Sequence, residues 1–315
     1  MKCYLCGNDA STVLTTKIRQ GEGIVRYCEP CGLGMLQAPD TDPAELQRFY
    51  REDYRKSHGP AANQPTNYAE IFSAYVNYQK PRIELLKPHL GQEKRLLEVG
   101  CSAGHFLYNV KEFVGEVVGV DYDANAVRYA AEKCQCTTYG GALDDAGLPA
   151  ESFDIAGAIH TMEHVEDPIG FASSIRKYLK PNGTIFIEIP SLHDPLIKLY
   201  DNSSYKAFWF QDVHLFYFTP QAFQTVMQRA GFEGQVYYYQ DYNLLNHLHW
   251  LFRGEPQVDC HAGLGTVALP IAEHVEQELR NELQQWIQQV DREYKTLLTK
   301  YGVTGNMMFI GKRAR

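Results

Sequence analysis

Four cysteines near the N-terminus, Cys3, Cys6, Cys28 and Cys31, form two Cys-x-x-Cys pairs, each followed by a glycine. Zinc takes four thiolates in a tetrahedron, and two short turns joined by a hairpin supply them. Gly7 and Gly32 permit positive φ, which turns backbone amides toward the sulfurs. Four protein ligands leave no open position, so a zinc ion here reads as structural. A second constellation is Glu98-x-Gly100-x-x-x-Gly104, with Asp121 following the first glycine by about twenty residues, where an acid suits ribose hydroxyls. A pyrophosphate cradle favours Gly-x-Gly-x-x-Gly instead. Glu98 would repel a phosphate and welcome a sulfonium and an amino group, so the pattern favours S-adenosylmethionine over NAD.

Three histidines are candidates for proton chemistry: His160, His164 and His214. Methyl transfer from a sulfonium is an in-line displacement that requires alignment, exclusion of water and often a base. Histidine is the natural base near neutral pH. Residue type alone leaves all three open. The structural alternative is a histidine that merely caps a helix after a strand. Asp167 before Pro168 reads as a turn residue.

Several elements must position these groups. Thr12–Ile18, Gly21–Gly23 and Ile24–Tyr27 read as strand, turn and strand between the cysteine pairs. Residues 96–99 read as a strand end, Phe106, Leu107 and Val110 as the start of a helix, and Val117–Val120 as a strand ending at Asp121. Residues 41–90 read as a helical linker: Asp42 caps a helix with Leu46, Phe49 and Tyr50 on its apolar face, and residues 57–65 break it. An aromatic helix then carries Tyr68, Phe72, Tyr75 and Tyr78 on one face, either as a packed stripe or as a lid. Trp209, Phe210, Phe216, Tyr217 and Phe218 suit either a pocket wall or the core. A helical insert over 241–300 separates the last two strands, and its first part, Asp241–Trp250, suits a roof over an acceptor. His247 and His249 stand two apart and share no helix face, which argues against a metal there. The stripe Val275, Leu279, Leu283, Trp286, Val290, Tyr294 and Leu297 in the 271–301 helix suits its own domain or, as favoured here, a homodimer contact.

The formal charge of −8 argues against a general nucleic-acid binder. Eight cysteines in 315 residues are not a disulfide framework. No apolar run suits a membrane span and the first residues lack a signal-peptide core, so a cytoplasmic location is expected.

Glu98-x-Gly100-x-x-x-Gly104 resembles motif I of class I S-adenosylmethionine-dependent methyltransferases, and Asp121 resembles their ribose-binding acid. Further segments match in order: Leu148 to Asp154, the strand Ile155 to His160, Glu163-His164-x-x-Asp167-Pro168, Leu179 to Gly183, Ile185 to Pro190, Phe218-Thr219-Pro220, and Ala230 to Phe232. The resemblance spans roughly residues 90–240 plus the terminal strand Asn306–Gly311. It implies an α/β, Rossmann-like, seven-stranded methyltransferase core with a small N-terminal zinc ribbon and a helical insert before the last strand. The implied divisions are 1–40 ribbon, 41–90 helical linker or lid, and 91–315 methyltransferase domain. By resemblance, Gly100, Cys101 and Gly104 approach the methionine portion of the cofactor and Asp121 the ribose. Tyr122, Ala142, Leu143 and Asp144 flank the adenine, and His160 is a further cofactor contact. The ribbon, the core and the aromatic segment around His214 together resemble sugar C-methyltransferases. In those enzymes residues of the Glu-His stretch and a histidine before the Phe-Thr-Pro turn face the substrate, so the resemblance favours His164 and His214 for catalysis, with Glu163 orienting or sharing a proton. The expected acceptor is a small polar molecule, a sugar or nucleotide-linked sugar, methylated on carbon or oxygen. The alternatives are an O-methyltransferase of a surface polysaccharide or secondary metabolite, an rRNA methyltransferase, and a non-catalytic docking protein.

Overall fold

The computed structural model describes residues 1–37, 48–49, 53–54 and 66–314. The expected helix around Leu46 and Tyr50 and the breaker over 57–65 lie outside these residues. The N-terminal hairpin pairs β1 (Thr12–Ile18) with β2 (Gly21–Cys28), and β2 with β3 (Leu33–Leu36). The helices α1 (Tyr68–Tyr75) and α2 (Lys80–Leu86) lie directly before the main sheet. Asn67 and Glu70 form a capping box that fixes the start of α1, satisfying two orphan N–H groups reciprocally. The aromatic stripe does not ride on one helix, because a 3₁₀ turn at Val76–Tyr78 intervenes and rotates Tyr78 out of register.

The main sheet is built from β4 (Gly91–Val99), α3 (His105–Val110), β5 (Val114–Asp121), α4 (Ala124–Cys134), β6 (Thr137–Gly140), β7 (Phe153–Ile159), α5 (Pro168–Tyr178) and β8 (Leu179–Pro190). Three elements then follow: α6 (Pro195–Lys198), α7 (Ser203–Trp209) and β9 (Phe216–Phe218). The chain continues through α8 (Pro220–Arg229), β10 (Phe232–Tyr239), α9 (Leu244–Arg253), α10 (His261–Leu264), α11 (Gln277–Lys300) and β11 (Asn306–Arg313). The strand order is β10-β11-β8-β7-β4-β5-β6; β11 runs antiparallel to both neighbours and the rest are parallel. This is the mixed seven-stranded, Rossmann-like sheet expected from the sequence.

Parallel strands covered on both faces should be apolar almost throughout, and β7 is buried along nearly its whole length. Successive residues of β4 face opposite layers. Leu96 joins the core that contains Phe106, Leu107 and Val110 of α3, whereas Leu97 joins the core under α5 and α8 with Ala172 and Phe223. The strand order reverses beside β4, between β7 and β5, and the crevice at the carboxyl ends of such strands is where α/β sheets bind ligands.

The ribbon is fused to this core. β3 pairs antiparallel with β9, making a four-stranded sheet, β1-β2-β3-β9. The approach is close: a Cβ on Gly32 would lie 2.3 Å from Thr219 Oγ1. On the far side, α11 turns Ile287, Asp291 and Leu298 inward and leaves Leu279, Trp286 and Leu297 exposed. The inward face therefore differs from the expected stripe.

Candidate active site

A cavity of about 960 Å³ opens at the carboxyl ends of β4, β5, β7 and β8. Its cofactor half begins at the turn after β4. Gly100 has φ +79° and Gly104 φ +81°, conformations that favour glycine. A Cβ on Gly100 would stand 2.2 Å from Thr161 Oγ1, so the bare backbone is what leaves room at the cavity wall. Asp121 bridges this turn and the next: Oδ2 accepts from the Ser102 N–H at 2.8 Å and Oδ1 from the Asp123 N–H at 2.9 Å. Glu98 is 2% exposed and, among the described residues, its Oε2 has no hydrogen-bond partner. Burial, reinforced by the neighbouring Asp121 charge, pushes its carboxyl well above the usual range. A buried carboxyl lacking a donor, on a wall with a glycine cradle, fits the positively charged amino acid portion of S-adenosylmethionine.

Tyr122, Ala142, Leu143 and Asp144 also line this half. Two expected contacts do not. The Cys101 thiol is buried in the core against Gly119, and Gly104 packs on Ala130 and Cys134, while Ser102 and His105 take the places on the wall. The strand-turn-helix geometry sends the side chain after Gly100 inward and the following one outward.

A charged chain runs across the floor. Glu188 on β8 is fully buried; Oε2 accepts from Arg82 Nε at 2.8 Å and Oε1 from Arg82 Nη2 at 2.6 Å. The same Oε1 lies 3.0 Å from His160 Nε2, and His160 Nδ1 lies 3.4 Å from Glu163 Oε1. Burial alone would raise the Glu188 pKa, but Arg82 and His160 outweigh it and hold it at about 2. Burial would likewise lower His160, but the carboxylates of Glu163 and Glu188 overcome it and push it up to about 9. His160 also sits at φ +49°, a left-handed conformation uncommon for a non-glycine residue, held by its N–H to the Glu188 carbonyl at 2.9 Å. The Glu163 and Glu188 carboxylates favour the protonated imidazole, and with it a proton-holding role for His160.

Beyond Glu163 stand the other two histidines. His164 Nδ1 lies 2.9 Å from the Val213 carbonyl oxygen, which can only accept, so Nδ1 carries the hydrogen and Nε2 faces Glu163 Oε1 at 4.0 Å. The His164 and His214 rings meet edge to face with centroids 4.7 Å apart. Among the described residues, two groups of ligand-type atoms converge within 4.8 Å: the four ribbon cysteines, and Glu163 with His164 and His214. Glu163 is 1% exposed, yet among the described residues neither carboxylate oxygen makes a hydrogen bond. Its backbone carbonyl accepts from the Leu215 N–H at 2.9 Å, which ties the Glu-His turn to the segment bearing His214. Asp167 caps α5 by accepting from the Gly170 N–H at 2.9 Å and also accepts from the Tyr4 hydroxyl of the ribbon.

The acceptor half is closed by Tyr75, Tyr78, Trp209, Tyr242, His247 and Trp250. Of the aromatic run before α8, Trp209 faces the cavity, whereas Phe210, Tyr217 and Phe218 are core. His247 is buried with Nδ1 2.7 Å from the Tyr294 hydroxyl, and burial holds it at about 4. The residues missed from the sequence are Arg19, Arg82, Glu188 and Asp194. A lone carboxylate inside the apolar run of β8 was a usable signal, since buried Glu is almost always paired.

The fold and the cofactor half of the cavity are those of a class I S-adenosylmethionine-dependent methyltransferase. The chain belongs to the methyltransferase-domain family, whose model matches residues 72–235. It is 27% identical over 154 residues to a ubiquinone biosynthesis O-methyltransferase of Hydrogenovibrio crunogenus, covering 47% of this chain and 60% of that protein. It is 26% identical over 219 residues to phosphoethanolamine N-methyltransferase 3 of Arabidopsis thaliana, covering 64% of this chain and 41% of that protein. The chain thus spans less than two thirds of the length of these curated relatives. Among solved structures, a SAM-dependent methyltransferase from Archaeoglobus fulgidus aligns with a TM-score of 0.50 at 19% identity, covering 78% of this chain and 98% of that one. Among the described residues no helix is long and apolar enough to cross a membrane.

Proposed function

We propose that this chain methylates a small polar acceptor, a sugar or nucleotide-linked sugar, with S-adenosylmethionine as donor. The observation that carries the reading is Glu163: a buried carboxylate on the cavity wall with no hydrogen bond among the described residues, its Oε1 3.4 Å from His160 Nδ1 and 4.0 Å from His164 Nε2. Both imidazole contacts are to Oε1, so a hydroxyl-bearing ligand that donates to the buried Oε2 is favoured. Glu98, Gly100 and Asp121 hold the cofactor, and Tyr122, Ala142 and Leu143 flank its base. The cofactor supplies a methyl carbon on a sulfonium, so the acceptor–methyl bond forms as the carbon–sulfur bond breaks and its electron pair leaves on sulfur. His164 takes the acceptor proton at Nε2, since Nδ1–H is committed to the Val213 carbonyl. Glu163 orients the acceptor and shares that proton, His214 packs against the His164 ring to fix its plane, and His160 supplies a fixed positive charge. Either oxygen or carbon can be the nucleophile in this arrangement.

We further propose that Cys3, Cys6, Cys28 and Cys31 hold a structural zinc ion. Two of their sulfur pairs stand 3.4 Å apart, close to the roughly 3.8 Å edge of a tetrahedron with zinc–sulfur bonds of about 2.3 Å.

The test is calorimetric titration with S-adenosylmethionine and S-adenosylhomocysteine, followed by methyl-transfer assays on sugars, sugar phosphates and nucleotide sugars, with phenols and amines as competitors. Micromolar cofactor binding with turnover on a sugar supports the reading. Turnover confined to phenols or amines overturns the acceptor class, and absence of cofactor binding overturns the enzyme itself.

A further inference from the structure

Arg19 belongs to the N-terminal hairpin, yet it lines the acceptor half of the cavity. Its backbone N–H donates to the Phe210 carbonyl at 2.8 Å and its Nε to the Phe208 carbonyl at 2.8 Å, with the guanidinium carbon 4.0 Å over the Phe208 ring. These contacts hold the planar fork in place through Nε and the face of the cation. Among the described residues neither terminal nitrogen makes a hydrogen bond, and no carboxylate pairs with the side chain. Its electrostatic neighbours are phenols, those of Tyr205, Tyr242, Tyr54 and Tyr75. Burial accordingly draws its pKa below the ordinary arginine value.

A mostly buried cation without a counter-charge is unfavourable unless a ligand supplies one. The surroundings sharpen this. Arg19 and Arg82 are the only Lys or Arg side chains among the described residues lining the cavity, and Arg82 is neutralised by Glu188. The rest of the wall is rich in acids, including Glu98, Asp121, Glu163 and Asp194. The remaining cation on the wall, His160, is held between Glu163 and Glu188, so among the described lining residues Arg19 is the cation left to meet an anionic ligand. Arginine also presents paired N–H donors that match phosphate oxygens in two parallel hydrogen bonds.

We propose that Arg19 binds a phosphate or diphosphate group on the non-reacting end of the acceptor, so that the ribbon hairpin selects phosphorylated substrates. This rests on the sugar-acceptor reading above and extends it: the acceptor class becomes a sugar phosphate or a nucleoside diphosphate sugar. A free sugar lacks the anion, and a carboxylated sugar carries it in a different place and geometry.

The experiment is calorimetric titration of full-length protein, saturated with S-adenosylhomocysteine, with pyrophosphate, uridine diphosphate, glucose 1-phosphate and glucuronate. Wild-type, Arg19→Gln and Arg19→Lys proteins are compared after their thermal unfolding curves are matched. At least one phosphate probe is expected to bind the wild type, about tenfold to hundredfold more weakly in Arg19→Gln, and with intermediate affinity in Arg19→Lys. S-adenosylhomocysteine affinity should stay within about twofold. Tighter binding by glucose 1-phosphate supports a sugar phosphate, and by uridine diphosphate a nucleotide sugar. Phosphate binding that is equal in Arg19→Gln, absent from the wild type, or replaced by Arg19-dependent glucuronate binding overturns the proposal. Failure of S-adenosylhomocysteine to bind would instead fault the methyltransferase reading, and the same anion titrations, run without it, would still read Arg19 directly.

Discussion

Glu188→Gln removes one negative charge and almost no volume from the floor of the cavity. The carboxylate lies between two cations, with Arg82 nitrogens at 2.6 and 2.8 Å and His160 Nε2 at 3.0 Å. Two independent estimates of its worth agree. Depression of the pKa from 4.5 to about 2 corresponds to about 3 kcal/mol favouring the charged form, and removing one partner of a buried ion pair typically costs about 3–5 kcal/mol. The amide also has to aim its NH₂ group at one of the two donors. The variant should therefore lose about 3 kcal/mol at pH 7, or about 5 °C in Tm for a chain of this length.

The pH dependence supplies a sharper test. Because the folded-state pKa of Glu188 is depressed, its contribution is present above pH 4.5 and is lost as pH falls toward 2. The wild-type advantage should shrink through that window. His160 has the opposite sign: its folded pKa is raised, so its stabilisation is complete below 6.5 and disappears as pH rises through about 9. Glu188→Gln should move the His160 titration, followed by NMR of the imidazole, downward. A double variant, Arg82→Met with Glu188→Gln, should recover part of the loss, because the guanidinium is no longer left facing an amide, while Asp241, 3.9 Å from Arg82, loses a partner. A loss below about 1 kcal/mol at pH 7, or one that does not vary between pH 4.5 and 2, would refute the reasoning that this triad is held together by charge.

Gly100→Ala places a Cβ 2.2 Å from Thr161 Oγ1 at φ +79°, and should weaken S-adenosylhomocysteine binding at least about tenfold by calorimetry without unfolding the sheet. Asp121→Asn keeps an acceptor for one turn amide and loses the charge. The expected loss is about 1.5–3 kcal/mol of cofactor affinity, read in the same titration. His164→Gln should lower kcat by about a hundredfold or more with cofactor affinity unchanged, and restoration of the rate by added imidazole would mark the group as the base. Cys28→Ser should release zinc, measured by elemental analysis, and weaken acceptor binding more than cofactor binding.

Much of the sheet was legible because its signals are local. The alternation of Leu96 and Leu97, the glycines at 100 and 104 and the acid at 121 all lie within thirty residues and report one strand-turn-helix-strand unit. Long-range pairing was not legible. Nothing near Leu33–Leu36 announces that its partner is Phe216–Phe218, because a strand edge carries no address in its own residues. For the same reason Arg19 read as an ordinary hairpin residue, and only the docking of the hairpin on Phe208 and Phe210 brings it to the cavity. The break at Val76 was misread because a helical pattern gives periodicity without showing where the helix tightens into a 3₁₀ turn. His160 looked like a base by residue type, and its environment favours the protonated form: two carboxylates, one of them on a strand whose pairing with β7 the local sequence does not declare.

These distant pairings divide the cavity into two halves with separate determinants. The cofactor half is made by the turns after β4 and β5, which the main sheet positions and Asp121 ties together. The acceptor half depends on the ribbon three times over. β3 pairs with β9, two residues beyond His214; Tyr4 bonds the Asp167 that ends the Glu-His turn; and the hairpin carries Arg19 to the wall. Loosening the ribbon should therefore release His214, the Glu-His turn and Arg19 together, while leaving Gly100 and Asp121 where they are. A relative that kept the same sheet and changed only its ribbon would keep its cofactor and change its acceptor. On this view the cysteine module is a specificity element built into the enzyme, because the backbone hydrogen bonds from β3 to β9 leave it no means of acting as a tethered appendage.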